Sequence, residues 1–184
     1  WRRFWFEGEE RSRAAVFRVV FFALLAVDAW NQVEHASRYG AGLFNVSHFP
    51  ALDAWLPMPR ASWVLVGTIT QAWLALRVAF GVNLRGSLAA LTALLGWTYF
   101  PSQLDSYQHH YLVFLLLLIC TAGVWLEARA PNELPGWCLR LLRVQFSALY
   151  LWAAIAKIDA KWISGETLKL QISPQWARDA VTQW

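Results

Sequence analysis

Charge is scarce in this sequence. Of its 184 residues only 15% are Asp, Glu, Lys or Arg, against about 25% in an ordinary soluble domain. Lysine is rarer still, with Lys157, Lys161 and Lys169 the only three among 16 basic residues. The chain has no phosphate-cradling Gly-rich loop, no nucleophile elbow and no HExxH, which excludes the enzyme classes built on them. Cysteine is limited to Cys120 and Cys138. Cys120 falls in mid-helix, about 12 Å deeper than the helix end near Ala128. Cys138 opens the next helix near the surface, so a disulfide is out of reach and both read as buried thiols.

What is present is apolar. Hydrophobic residues make up 58% of the chain, mean hydropathy is +0.34, and there are 13 Trp and 11 Phe. This surplus is gathered into runs of membrane length, and a hydrocarbon core asks for about 20 such residues per helix. The runs predict an all-α polytopic transmembrane bundle of about five helices, over roughly 14–34, 61–81, 84–104, 109–128 and 138–158. Gly40, Gly42, Pro50, Pro57 and Pro59 break the first long connection. Pro131, Pro135 and Gly136 break the fourth. Pro101 kinks or ends the third helix. The first run is too long for a signal-peptide core and no small-residue cleavage site follows it, so it reads as a retained helix. The mix of aromatic and basic residues is membrane-interface composition and does not point to nucleic acid.

The flanking basic residues orient the bundle. With the N-terminus inside, ten lie at inner helix ends and six at outer ones, so the N-terminus is expected in the cytoplasm. Residues 1–13 then form a cytoplasmic segment, 14–170 the membrane domain, and 171–184 the start of a further segment. The chain starts at Trp1 and stops inside that segment, as a fragment of a longer protein would. Five crossings put His109 and Lys157 on one side of the membrane. His109 precedes the hairpin residue Glu133 by as many positions as Lys157 follows it, which sets the two at similar depth.

Three polar groups stand out. Lys157 directly follows an unbroken apolar stretch. It could snorkel to the interface or merely flank the span with Lys161; a lysine desolvated there would instead be a general base or nucleophile. His109-His110 opens the fourth helix behind Asp105, Ser106, Tyr107 and Gln108, as a wet helix start or as part of a site. Adjacent histidines diverge on a helix and no cysteine is near, so no metal is expected. Asp28, Asn31 and His35 follow i, i+3, i+7 spacing with Glu34 beside them. That face either ties helices together by hydrogen bonds or lines a pocket. His110, Asp28, Asn31, His35, Asp105 and Asp159 are the candidate lining residues around Lys157 and His109.

Gln145, Tyr150 and the run Ala153-Ala154-Ile155-Ala156-Lys157-Ile158-Asp159-Ala160-Lys161-Trp162 with Gly165 resemble the lysine segment of the vitamin K-dependent gamma-carboxylases. These belong to the wider HTTM (horizontally transferred transmembrane) domain family. His109-His110-Tyr111-Leu112 is similar to that family's His-x-Tyr-Leu, and Asp28 through Tyr39-Gly40 resembles the end of its first helix. The resemblance covers about residues 14–170. It implies that Lys157 is the catalytic lysine that deprotonates reduced vitamin K, a quinol. Oxygen then converts the quinol to an epoxide by way of a strongly basic alkoxide. That base takes a γ-proton from a substrate glutamate, and carbon dioxide adds to the carbanion. His109 would support the intermediate by hydrogen bonding. The activity implied is of carbon–carbon lyase or ligase type.

Two features depart from the carboxylase pattern. Ala153-Ala154 replaces the usual Ala-Gly, and Lys161 stands where Asp is general. The implied setting is a bacterial cytoplasmic membrane with Lys157 on the outer side. The implied partners are the lipid bilayer and a glutamate-containing protein or fused soluble domain. The alternative is a non-catalytic membrane domain that binds lipid or quinone, or anchors a soluble partner. A transporter ranks third, since no internal repeat is visible across the five spans.

Overall fold

The computed structural model describes residues 11–39, 51, 55, 60–101, 108–127 and 134–167. Among these residues there is no strand. Helix α1 is Arg11–Asn31 and runs on as a 3-10 segment, Gln32–Arg38. It is followed by α2 (Ala61–Ala79), α3 (Leu84–Tyr99), α4 (Gln108–Leu126), α5 (Gly136–Ile155) and the short α6 (Ala160–Ile163). The protein is all-α, and its five long helices fall on the five apolar runs. Two of them, Ser12–Arg38 and Gly136–Ile155, have the length and hydropathy of a membrane span. His110–Leu126 is apolar but shorter.

Helix ends differ from the expected ones for local reasons. Helix α3 stops at Tyr99 rather than 104, because Pro101 has no N–H to give the carbonyl a turn earlier. Helix α5 stops at Ile155 rather than 158. Its last turn tightens through Lys157 N–H to Ala154 O and Ile158 N–H to Ile155 O, both 3.0 Å, the i→i−3 pattern of a fraying end.

The chain forms two compact units, residues 1–142 and 143–184, with the boundary inside α5. In the first, α1 packs on α2, α2 on α3 and α3 on α4, and the 3-10 segment lies against α2. A four-residue turn makes α2 and α3 an antiparallel pair. Gly81 (φ 73°) and Asn83 (φ 45°) both take left-handed backbone there, which glycine adopts freely and asparagine tolerates. Ser87 Oγ closes the turn by donating to Val82 O at 2.9 Å.

Helix α2 is apolar on both faces, unlike a soluble helix. Trp63, Val66, Ile69, Trp73, Leu76 and Phe80 recur at helical spacing and are all exposed. The opposite, buried face carries Val64, Thr68, Gln71, Ala75 and Val78. A soluble helix buries its apolar stripe and exposes its polar one. Here Thr68 and Gln71 are inside among small and aliphatic residues while the exposed face carries the bulkiest apolar side chains, as expected where the surroundings are hydrocarbon.

The α4–α5 junction corrects the depth assigned to Cys138. Its thiol occupies the space where a side chain on Gly123 would begin, and it donates to Ile119 O at 3.6 Å. Pro135 packs over the same glycine. Leu134 is buried, so the chain turns inward before α5 starts and brings Cys138 to the Ile119–Gly123 turn rather than to the surface. Cys120 and Cys138 are both free and buried.

Candidate functional site

A cavity of about 60 Å³ lies between α1, α2, α3 and α4. That is room for a few waters or for the polar edge of a larger ligand. Leu25, Asp28, Ala29 and Gln32 form its α1 side. Val64, Thr68 and Gln71 line it from α2, and Leu95, Thr98 and Tyr99 from α3. Tyr39 and, from α4, His110 and Val113 complete it. These positions lie toward the C-terminal ends of α1 and α3 and the N-terminal ends of α2 and α4, so the antiparallel order gathers them at one end of the bundle.

The walls are ordered by hydrogen bonds. Gln71 Nε2 donates to Thr98 Oγ1 at 2.9 Å, joining α2 to α3. Thr98 Oγ1 donates to Leu95 O at 3.0 Å. Thr68 Oγ1 lies 3.0 Å from both Val64 O and Leu65 O, within its own helix. Thr68 and Gln71 are each 6% exposed, and such burial is tolerable only because their polar atoms are bonded. One turn deeper, Thr92 Oγ1 lies 2.8 Å from Leu88 O and shares a 2.7 Å hydrogen bond with Thr121 Oγ1, tying α3 to α4. At the far end of α4, Arg85 donates from Nε to Val124 O and from Nη2 to Glu127 O, both 3.1 Å. The guanidinium thereby caps carbonyls left over at the helix terminus.

The residues singled out in the sequence are distributed as follows. Asp28 and His110 both line the cavity. Asn31 and His35 do not: Asn31 is exposed and His35 half-buried. Asn31, still within α1, lies off the cavity face, and His35 would share the face of Asp28 only if α1 continued, whereas the chain tightens to a 3-10 helix after Asn31. The tighter winding turns later residues away from the face of Asp28, and Gln32, one α-turn after Asp28, takes the place beside it. His109 lies in the first turn of α4, with its side chain outside the described residues, as is Asp105.

Lys157 belongs to the second unit. It is exposed, sits in the turn after α5, and holds Nζ 5.3 Å from the centroid of the Trp162 ring, a cation–π contact. Asp159 caps α6, its Oδ1 accepting the Trp162 N–H at 2.8 Å. Ser164 Oγ donates to Lys161 O at 3.1 Å. Among the described residues no group of three or more His, Cys, Asp or Glu is placed to hold a metal.

Gln71, Thr68, Thr98, Tyr99, Gln32 and Tyr39 were not foreseen as lining residues. The available signal was a lone glutamine inside an otherwise apolar run, since an amide in hydrocarbon needs a partner on another helix.

No solved structure matches the chain at a significant level. The family model for the HTTM domain matches residues 6–184. With nearly the whole chain covered and an all-α fold of long apolar helices, this protein belongs to the HTTM domain family.

Proposed function

We propose that this chain is the membrane-embedded part of a carboxylase-like enzyme that oxidises a lipid-soluble quinol, with Lys157 as general base. The observation that carries the membrane half of this reading is the exposed apolar stripe along α2. Its exposed stripe is Trp, Val, Ile and Phe, while Thr68 and Gln71 are buried. With five crossings and a cytoplasmic N-terminus, the cavity end of the bundle would lie at the outer leaflet. Asp28, Gln71 and His110 line the cavity among aliphatic side chains, which suits the polar edge of a hydroquinone arriving from the bilayer. The catalytic half rests on the resemblance of the Lys157 segment to the carboxylases. Lys157 would accept a quinol proton, and His109 would donate a hydrogen bond to the oxygen left behind. A water-poor setting would keep that oxygen basic. Epoxidation drawing on oxygen, with carbon dioxide captured by a glutamate carbanion on a protein partner, is the chemistry the resemblance adds.

A second reading is favoured by one observation. Lys157 is exposed and engaged with Trp162, so a domain that binds quinone or lipid without reacting, and anchors a soluble partner, is the alternative. The deciding experiment supplies reduced vitamin K and oxygen to membranes containing the complete protein and measures the epoxide. The catalytic reading expects product from wild type, none from Lys157→Ala, and recovery when a small strong amine is added. Equal background rates for the two proteins would leave the binding reading alone.

A further inference from the structure

The end of the first unit opposite the cavity is strongly basic. Arg13 and Arg18 come from α1, Arg77 from the last turn of α2 and Arg85 from the first turn of α3. Among the described residues of this unit, Glu127 is the only carboxylate at that end. At the cavity end Asp28 and Glu34 offset Arg38 and Arg60. The turn that the arginines surround is itself apolar. Phe80 is 76% and Val82 47% exposed at the tip of the α2–α3 hairpin, where a turn in water carries polar residues. Trp73, one turn before Arg77, is exposed as well. An apolar tip with a tryptophan one turn deeper is the composition of a membrane–water interface.

Each guanidinium at the turn is held differently. That of Arg18 lies 3.3–3.4 Å from where a side chain on Gly81 would begin. Arg85 gives Nε and Nη2 to carbonyls at the end of α4. Arg77 donates from Nε to Ser87 Oγ at 3.3 Å, and its Cζ stands 4.7 Å from the centroid of the Trp73 ring. These contacts engage the Nε edge and one flat face. Arg77 makes no other hydrogen bond among the described residues, so its Nη donors remain for an oxyanion. A guanidinium fixed in this way presents two parallel donors, the geometry that suits a phosphate.

We propose that the α2–α3 turn binds the headgroup of an anionic phospholipid. Arg77 holds the phosphate through its Nη atoms, Arg18 and Arg85 add charge, and Phe80 and Val82 lie against the acyl chains. Charge favours a headgroup with no ammonium of its own. The apolar tip favours a lipid over free phosphate, which gains nothing from Phe80 or Val82. The proposal rests on the membrane reading of the fold and is independent of the Lys157 chemistry and of the cavity's occupant.

The test places the full chain in vesicles of equal parts phosphatidylglycerol and phosphatidylcholine and counts the lipids retained on the protein by native mass spectrometry. Wild type should retain phosphatidylglycerol over phosphatidylcholine by about fivefold, the worth of one arginine at a charged headgroup. Arg77→Gln should bring the ratio close to one. Arg77→Lys keeps a cation there and should lower the ratio less. Ser87→Ala should leave it unchanged, although it removes the Nε partner, and so should Arg60→Gln at the opposite end. A ratio of one in wild type, or one unchanged in both Arg77 variants, overturns the site. Equal loss in Ser87→Ala shows that Arg77 only anchors the turn, and equal loss in Arg60→Gln shows unspecific charge attraction; either overturns it too. Displacement of the lipid by excess inorganic phosphate at constant ionic strength overturns the lipid as occupant. Failure of the chain to enter vesicles of phosphatidylcholine alone overturns the membrane reading itself.

Discussion

In the first unit Thr68, Gln71 and Thr92 are more than nine-tenths buried. Their bonds run from α2 to α3, from α3 to α4, or back into their own helix. In the second unit every side chain from Ser147 to Asp159 is exposed. Asp159 bonds there with Trp162 and Ser164 with Lys161, each within three residues. The contrast separates two kinds of polar residue in one chain. Those of the first unit have their partners only when the helices are assembled. Asp159 and Ser164 in the second have theirs wherever the local turn forms.

This difference can be broken where a side chain of α5 fills the space beside a glycine of α4. Gly123 leaves its side-chain space to the Cys138 thiol. Gly123→Leu should therefore cost more than about 3 kcal/mol, at the upper end of overpacking penalties, read from reversible unfolding in mixed micelles. Ala148→Leu, at an exposed position, should change the same measurement by under about 0.5 kcal/mol. Combining Gly123→Ala with Cys138→Ala should recover most of the loss caused by Gly123→Ala alone, because the sulfur is what the added carbon meets.

Arg85 comes next in size. Arg85→Met keeps much of the stem and removes both bonds to Val124 O and Glu127 O. A loss of about 2 kcal/mol is expected, with faster amide exchange at the end of α4. Smaller again is the Thr92–Thr121 contact of 2.7 Å. A double-mutant cycle with Thr92→Val and Thr121→Val should give a coupling of about 1 kcal/mol. A coupling near zero would show that the two hydroxyls are satisfied independently. The smallest effect belongs to the second unit. Asp159→Ala removes the α6 cap, so exchange at Trp162 should rise while the unfolding of the first unit stays where it was.

The five long helices were legible in the sequence because each falls on a long apolar run bounded by Gly, Pro or polar residues. Their ends were less so, since these turn on single events: Pro101 after α3, the 3-10 tightening after Asn31, and the turn before the Asp159 cap. Of the cavity, Asp28 and His110 could be named in advance because an ionisable group in an apolar helix is costly and draws attention. Thr68 and Thr98 escaped for the opposite reason. A threonine that bonds its own helix backbone costs little anywhere in a membrane helix, so its presence carries no warning. That Gln71 and Thr98 meet depends on the register of α2 against α3, which the Phe80–Asn83 turn sets. The depth of Cys138 was misjudged because counting residues along a helix ignores a chain that turns inward before the helix begins.

The contrast between the two units also locates the most direct test of the account, that the α1–α4 cavity is where a lipid-soluble ligand binds. A photoreactive alkyl quinone, reduced in the membrane and activated by light, would mark the residues it rests against. The account predicts adducts on the Val64–Gln71 and Leu95–Tyr99 segments that disappear when excess hydroquinone competes. Adducts spread only over exposed apolar residues such as Leu149, Leu151 and Trp152, and insensitive to competition, would contradict it.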